Sequence, residues 1–455
     1  LKVPFSASDR PGMSPCGRAP CVLWVRGVGS LPPPRYSHTR RMAFKREPSA
    51  FKNQLGSTEF PFESGRYILY VALACPWANG VLQVARMKRL VAKLQPAAGA
   101  LAAVGSASGA CASTGEAQGK LRVAVVHPTW QYTDPEADSA AATSGSRAAP
   151  PPHAGWVFGG PGRSALLPVA VMQRSEEVGL RLSGSAEDIC SGKVQVGATA
   201  LQSHGVRSEF CTADPSRHNV RTLRHLYELA GGYISEGVRP TTPAIFDTAT
   251  DRIVSNDSKD IAKFLNAWGE QERTTGDSSV DLYPSALRSE IDKTIEWIFG
   301  VNNGVYRCGF ASSQPSYDEA AVELEARMVE VERHLGGKDR GSPRQFLVGE
   351  QLTIADIRLF NTLVRMDEVY VTYFKCQFAS LCDASGDGRG SKFPNLLRFT
   401  AHLLNTFPEI RESVSMDDIR NHYFTSHPIR NSFAIVPKEV GVLPLLKKQR
   451  LQSSI

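Results

Sequence analysis

The sequence predicts an α/β domain followed by an all-helical domain. Up to residue 268, short β-prone apolar runs alternate with segments of helical periodicity. A polar linker at 269–280 follows, and beyond it the apolar residues recur at helical spacing. With 455 residues the chain is too long for one core, so we expect two domains plus additional segments.

Composition and charge exclude several classes of partner. The net charge of +7 is mild for this length and does not require a nucleic acid. No apolar run reaches the ~18 residues that a membrane-spanning helix needs. Nine cysteines without a C-x-x-C pair indicate free thiols in a reducing compartment. We expect no metal, because His402, His422 and His427 lack thiolate or carboxylate partners at ligand spacing.

Residues 1–43 form a basic N-terminal extension with scattered Ser and Pro. This composition is typical of an organelle transit segment and equally of an unstructured basic tail. The predicted location is therefore cytoplasmic or organellar, with chloroplast and mitochondrion both open.

The first domain is predicted at 44–268. Its elements in order are strand 66–73, helix 76–94, strand 121–126, a helix after Asp214 that Gly231-Gly232 closes, strands 242–246 and 252–254, and helix 258–268. This is the order of the thioredoxin fold. Pro243 at a strand start predicts a cis bond that turns the preceding carbonyl toward the active site. Low-complexity insertions are predicted near 96–119, 137–152 and 160–208, since they hold few large apolar side chains.

The second domain is predicted as helical over 281–437, with a loose tail at 438–455. One helical face carries Leu287, Ile291, Ile295 and Ile298. We also expect Trp297 and Phe299 to be core residues. Capping boxes at Ser316-x-x-Glu319 and Thr353-x-x-Asp356 open two further helices. Shorter helices are expected at 396–404 and 416–422.

Cys75 is the candidate nucleophile. It precedes Pro76, a residue suited to the first position of a helix, so its thiol should face unpaired N–H groups and the positive end of the helix dipole. Both favour the thiolate, which is the reactive form. Ala78 stands three residues on, so the site is a monothiol that needs an external thiol to complete a cycle. Taken alone, the motif favours an inert buried cysteine, the commonest state of a cysteine outside disulfides, and the motifs along the rest of the chain reverse this preference.

Motifs along the whole chain resemble the glutathionyl-hydroquinone reductases, the Xi class of glutathione transferases. The resemblance runs from about Phe44 to Pro437, interrupted by the insertions. The motifs that carry it are Leu69–Val71 with Cys75–Ala78, Val125–Pro128, Gly155–Phe158, Asp281–Pro284, Asn302–Tyr306, Leu352–Phe360, Val369–Val371, Phe374–Cys376 and His422-Tyr423.

The resemblance implies an α/β thioredoxin-like N-terminal domain followed by an all-α glutathione-transferase C-terminal domain. It implies Cys75 as nucleophile and Tyr306 as proton donor or acceptor at the quinol. Tyr370 and Tyr423 would line the same pocket and lower the pKa of Cys75. Glutathione, as co-substrate, would be held by Trp156, Arg239, Pro240, Thr241, Thr242, Asp257 and Ser258. A homodimer formed through the helical half is also implied.

The implied reaction is glutathione-dependent reduction of glutathionyl-hydroquinones, with release of oxidised glutathione, through a Cys75–glutathione mixed disulfide. One alternative keeps the fold and the cysteine but changes the substrate, as in an Omega-like thiol transferase or dehydroascorbate reductase. Another is a non-enzymatic ligand carrier. The sequence departs from the family at Asn79-Gly80, where His-Arg is usual, at Asp257, where Glu is usual, and at Arg239–Thr242, which is less β-branched.

Overall fold

The computed structural model describes residues 48–96, 119–133, 153–159, 165–166, 206–233, 236–275, 279–382, 391–427 and 430–440. They all lie in one compact unit, Met42–Ile455. The basic extension, the chain beyond residue 440 and most of the three predicted insertions lie outside the described residues, and the domain limits stay predictions.

A four-stranded sheet organises the N-terminal half, in the order β2-β1-β7-β8. The central strand β1 is parallel to β2 and antiparallel to β7, and β8 pairs antiparallel with β7. This arrangement confirms the predicted thioredoxin topology. The described strands are Tyr67–Val71 (β1), Arg122–Val125 (β2), Gln131–Thr133 (β3), His153–Gly155 (β4), Ala165–Leu166 (β5), Val206–Arg207 (β6), Ala244–Asp247 (β7) and Arg252–Ser255 (β8).

Every residue of β1 is buried, which explains why this strand is a continuous apolar run in the sequence. Because side chains alternate along a strand, Leu69 and Val71 enter one core, whereas Ile68 and Tyr70 enter a second core on the opposite face. The helices are Pro76–Met87 (α1), Leu223–Leu229 (α2), Ser258–Gln271 (α3), Arg288–Gly309 (α4), Gln314–Leu335 (α5), Ile354–Leu363 (α6), Val371–Tyr373 (α7), Pro394–Thr406 (α8), Pro408–Arg411 (α9) and Met416–Thr425 (α10).

Helix α1 ends at Met87, so the predicted extension to Leu94 is wrong. Arg89 is left-handed, with φ of 56°, and the Leu90 N–H donates to the Ala85 carbonyl at 2.9 Å. This is a Schellman ending, in which glycine is the usual left-handed residue. Leu90 remains buried after the turn, so the apolar pattern of the sequence continues past the end of the helix and does not indicate where the helix ends.

Helix α2 begins at Leu223, and Asp214 lies in the preceding loop. Thr222 caps the helix, accepting from the His225 N–H at 3.1 Å. Asp214 instead accepts a hydrogen bond from the Tyr70 hydroxyl at 2.6 Å, which joins the loop to the sheet. Gly231, with φ of 82°, closes the helix as predicted.

Part of the predicted insertion at 160–208 is ordered structure. Strand β5 pairs antiparallel with β6. Val206 and Ser208 are buried, and the Ser208 hydroxyl donates to Asp418 at 3.2 Å. The predicted low-complexity insertion therefore contains two short strands, which its composition did not indicate.

The helical half follows the predicted periodicity, with Ile291 and Ile298 of α4 fully buried. Helix α5 starts three residues earlier than predicted, because Ser313 rather than Ser316 is its cap and accepts from the Ser316 N–H. Phe299 is 38% exposed, so its predicted core position is wrong. No helix within the described ranges is both long and apolar enough to cross a bilayer.

The predicted capping box at Thr353 and Asp356 is confirmed. The buried Asp356 carboxylate accepts from the Thr353 N–H at 2.8 Å and the Leu347 N–H at 2.7 Å. It therefore joins the start of α6 to the preceding loop. After α6, a single π-helical turn at Met366–Tyr370 leads into α7, a feature that the sequence did not indicate.

Replacing Asp356 by alanine should lower the free energy of unfolding by about 2–4 kcal/mol, since it removes a cap and leaves buried N–H donors unpaired. Urea unfolding would measure this. Asp318→Ala, at an exposed position in the second turn of α5, is the matched control and should change stability by less than about 0.5 kcal/mol. Equal losses in the two variants would contradict the structural role of Asp356.

Candidate functional site

Cys75 lies at the junction of β1 and α1, as the sequence predicted. It is the N-cap residue of α1 in an extended conformation, with φ of −76° and ψ of 120°. Its side chain makes no capping hydrogen bond, so the half-buried sulfur is not tied to its own helix. Pro76 occupies the start of the helix, where its missing N–H costs nothing.

The segment before β7 faces this sulfur. The Thr242-Pro243 bond is cis, and the Cys75 thiol donates to the Thr242 carbonyl, with sulfur and oxygen 3.6 Å apart. Both features confirm the prediction from Pro243. The neighbouring Thr241 is held by the Tyr227 hydroxyl, which donates to its carbonyl at 2.7 Å. The buried Thr242 Oγ1 has no hydrogen-bond partner among the described residues, so a ligand can use it.

A cavity of about 480 Å³ adjoins the Thr242 segment. This volume is in the range of small-molecule sites, about 300–1,000 Å³. Five of the residues predicted to hold glutathione are in its wall: Arg239, Thr241, Thr242, Asp257 and Ser258. Pro240 is not among the wall residues, and Trp156 is not either.

The N-terminus of α3 points into the cavity. Asp257 is its cap, and one carboxylate oxygen, Oδ1, accepts from the N–H groups of Lys259 at 2.9 Å and Asp260 at 3.4 Å. Burial and then the nearby Asp257 charge raise the pKa of Asp260. The dipole of this helix end suits an anionic ligand group.

Arg358 is a cavity residue that sequence reasoning missed. Its guanidinium donates to the Ser258 hydroxyl at 3.3 Å and lies over the Trp77 ring, 5.1 Å from the centroid. The side chain projects from α6 of the helical half. A basic residue between the buried Ile357 and Leu359 was the available sequence signal.

Three tyrosines meet in the helical half, as the resemblance implied. The Tyr306 and Tyr423 hydroxyl oxygens are 2.6 Å apart, and those of Tyr370 and Tyr423 are 3.2 Å apart. Burial, followed by the proximity of Tyr306, raises the pKa of both Tyr370 and Tyr423 well above the ordinary value. These two phenols therefore stay protonated near neutral pH and can donate hydrogen bonds.

Trp156 is connected to the tyrosines rather than to the cavity wall. Its ring stacks on His422 at 4.6 Å, and the His422 ring lies 5.1 Å from that of Tyr423. His422 Nδ1 is 2.8 Å from the Pro128 carbonyl oxygen and donates to it. Burial lowers the pKa of His422 to about 3, so its imidazole is neutral.

Cys75 packs against both hydrophobic cores. The first core contains Tyr370 and Tyr423 and is bordered by Tyr306, and the second contains Trp156. Each of these predicted site residues therefore belongs to, or borders, a core that Cys75 also contacts. The roles assigned to them stay predictions.

Similarity to known proteins agrees with this architecture. A family model described as the glutathione S-transferase C-terminal domain matches residues 314–402. The chain is 30% identical over 403 residues to the glutathionyl-hydroquinone reductase YqjG of Escherichia coli, an alignment that covers 86% of this chain and 88% of the relative.

Two solved structures are similar over most of the chain. The Xi glutathione S-transferase from Phanerochaete chrysosporium has a TM-score of 0.60 and 27% identity, covering 88% of this chain and 94% of the other. The glutathione-bound structure of YqjG from Escherichia coli K-12 has a TM-score of 0.56 and 28% identity, covering 86% and 92%.

The thioredoxin-like sheet, the helical second half and these matches define the class as glutathione transferase. The class consists of glutathione-dependent enzymes. Within it, the chain belongs to the glutathionyl-hydroquinone reductase family, the Xi class, as the motifs indicated.

Replacing His422 by phenylalanine should make the fold less sensitive to acid. The pKa of His422 in the folded protein is about 3 and the ordinary value is 6.5. Between these values the unfolded chain binds more protons, so the wild type loses stability as pH falls through this window. At pH 5 this loss amounts to about 2 kcal/mol relative to neutral pH and should be absent in His422→Phe.

Urea unfolding at pH 7.5 and pH 5 measures the effect. Asn421→Ala, on the same helix, is the control, because it removes no titrating group and should change stability equally at the two pH values. The same pH dependence in His422→Phe and the wild type would show that His422 does not contribute to it.

Proposed function

We propose that this protein reduces glutathionyl-hydroquinones to hydroquinones with glutathione as the reductant. The observation that carries the proposal is the position of Cys75. A single cysteine at a helix N-terminus lies against the carbonyl of Thr242, a wall residue of a glutathione-sized cavity. Three clustered phenols belong to or border the hydrophobic core against which Cys75 also packs. The similarity to the Escherichia coli glutathionyl-hydroquinone reductase supports the same activity.

Glutathione offers groups that match the cavity. Its γ-glutamyl carboxylate would bind the Ser258 N–H and hydroxyl at the α3 N-terminus, with Arg358 beside them. The α-ammonium group would pair with Asp257, whose capping bonds occupy only Oδ1. The cysteinyl unit would bond to the Thr242 backbone as an added strand, which brings its sulfur toward Cys75. The glutathione complex of YqjG supports binding in this family.

In the first half-reaction the Cys75 thiolate attacks the thioether sulfur of the glutathionyl-hydroquinone. A sulfur–sulfur bond forms, the carbon–sulfur bond breaks, and its electron pair stays on the ring carbon, which takes up a proton. Tyr306 would deliver that proton, since its hydroxyl is partnered by Tyr423 and can be reprotonated through it. Free hydroquinone leaves, and Cys75 remains disulfide-bonded to glutathione.

In the second half-reaction a glutathione thiolate attacks the mixed disulfide on the glutathione sulfur. Oxidised glutathione leaves, and the Cys75 thiolate is restored. The net change is one glutathionyl-hydroquinone plus one glutathione giving one hydroquinone plus oxidised glutathione. A second cysteine on α1 would compete for the intermediate, and Ala78 occupies that position.

The departure at Asn79-Gly80 is compatible with this chemistry. Asn79 is buried, and its Nδ2 donates to the Leu73 carbonyl at 3.2 Å and the Ser413 carbonyl at 3.0 Å. Gly80 faces α6, where an added Cβ would lie 3.4 Å from Asn361. Both residues therefore pack against the helical half, and neither is in the cavity wall.

Mass spectrometry after incubation with glutathionyl-menadiol tests the proposal. One glutathione should be added to Cys75 in the wild type, and further glutathione should remove it. Cys75→Ser should gain no adduct and turn over no substrate. Cys382→Ser is the control, because Cys382 is another half-buried cysteine and its loss should change neither result. A persisting adduct in Cys75→Ser would overturn the assignment.

Competition between substrates separates the proposal from its main alternative. An Omega-like thiol transferase would prefer dehydroascorbate, whereas the tyrosine cluster is suited to a phenolic ring. We expect a higher kcat/KM for glutathionyl-menadiol than for dehydroascorbate, and the reverse order would reject the reductase. The predicted homodimer and compartment stay predictions.

Replacing Tyr306 by phenylalanine should lower kcat for glutathionyl-menadiol about 100-fold with little change in the KM for glutathione, because only the proton donor is removed. Steady-state kinetics would measure this. Tyr317→Phe is the control, since its hydroxyl donates to the Lys375 carbonyl outside the cluster and should be kinetically silent. Unchanged kcat in Tyr306→Phe would exclude it as the proton donor.

A further inference from the structure

Arg365 is a fully buried arginine immediately after α6. Its guanidinium crosses to the N-terminal half, where Nε donates to the Ala74 carbonyl at 3.1 Å and Nη2 to the Leu73 carbonyl at 2.9 Å. Nη1 donates to the Asn361 carbonyl at 2.6 Å. The Ala74 carbonyl belongs to the peptide group that continues into Cys75, so the guanidinium lies one peptide unit from the candidate nucleophile.

The described hydrogen bonds of the Arg365 guanidinium all end on neutral acceptors. The four described hydrogen bonds of Arg365 end on backbone carbonyls or on the Asn361 side-chain oxygen, not on a carboxylate. An arginine side chain is always protonated in proteins. Burying a charge without an opposite partner is costly, and structural stability alone is a weak reason to retain it.

We propose that Arg365 is a positioning residue whose positive charge stabilises the Cys75 thiolate. The inference deepens the proposed function and rests on it for the role of Cys75. The Thr242 carbonyl can accept a hydrogen bond only from the protonated thiol, so it does not stabilise the thiolate. The Asn79-Gly80 pair on α1 carries no charge either. Arg365 supplies from the helical half the charge that the N-terminal end of α1 lacks.

The other ionisable groups around Arg365 do not offset its charge. On α10 and the π-helical turn, His422 is neutral, and the Tyr370 and Tyr423 phenols stay protonated. For each of these three groups, burial is the main cause of the pKa shift, and the Arg365 charge acts to lower the pKa.

The two acidic residues on the π-helical turn, Asp367 and Glu368, form their described hydrogen bonds with groups other than Arg365. Asp367 accepts from the Leu381 N–H at 3.1 Å and from Ser380. Glu368 accepts from the Val440 N–H at 3.0 Å and lies 4.0 Å from Arg420.

Two other arginines lie on the helices of this interface. On α1, the Arg86 guanidinium is paired with Glu412 at 2.8 Å. On α6, Arg358 is directed to the cavity.

The test is the pH dependence of iodoacetamide alkylation at Cys75, followed by peptide mass spectrometry because the chain has nine cysteines. Arg365→Gln keeps a donor for the Ala74 carbonyl but removes the charge, and its alkylation midpoint should rise by about one pH unit or more. Arg365→Lys keeps the charge with fewer donors, and its midpoint should stay close to that of the wild type.

Arg86→Met is the matched control. Arg86 is also a buried arginine, but it lies eleven residues beyond Cys75, about 16 Å along α1, and is paired with Glu412. Its loss should lower stability without moving the midpoint. Equal shifts in the Gln and Lys variants would assign the effect to packing and overturn the proposal, as would no shift in Arg365→Gln.

Wild-type protein provides a readout that does not depend on variant folding. Its Cys75 midpoint should lie below that of the same cysteine in the urea-unfolded chain, and a native midpoint at or above the unfolded one would reject the proposal. Alkylation requires no quinol. A shifted midpoint with no reductase turnover would therefore refute the proposed function while leaving Arg365 as the stabilising charge.

Discussion

The contact between the start of α1 and the Thr242-Pro243 segment is the constraint on which the site depends. It brings the Cys75 sulfur to 3.6 Å from the Thr242 carbonyl at the edge of the cavity. The sheet enforces this contact, because β1 ends just before Cys75 and β7, its antiparallel neighbour, begins just after Pro243. Strand register therefore aligns the proposed nucleophile with the backbone that would bind the tripeptide.

The interface between α1 and α6 then sets the position of the helical half. It contains a buried polar network in which Asn361 Nδ2 donates to the Gln83 side chain at 2.6 Å, while Arg365 bonds to the end of the β1–α1 loop. Buried hydrogen bonds have strict geometry and a high cost if broken, so they select one arrangement of the two halves. That arrangement holds the helical half, with its tyrosines, against the loop that leads to Cys75.

Much of the fold was predictable because its signals are local. The run at β1, Pro76 after Cys75 and the Thr353–Asp356 box each report on neighbouring residues, and each prediction is confirmed. The prediction of where α1 ends is wrong, because Arg89 adopts a left-handed conformation in which glycine is the usual residue. The missed site residues, Arg358 and Arg365, depend on contacts across 100 or more positions in sequence, which local patterns do not reveal.

The proposed chemistry is divided between the two halves of the chain. The first half offers the nucleophile and the anion-binding start of α3, whereas the second offers the phenols and the guanidinium of Arg365. Neither half holds a complete site. Because Arg365 bonds to the carbonyls just before Cys75, the same contact that joins the halves also brings a charge to the sulfur. The stability of the interface and the proposed reactivity of Cys75 are therefore linked. Loosening the contact between the two halves would remove both the position of the phenols relative to the first half and the positive charge near Cys75.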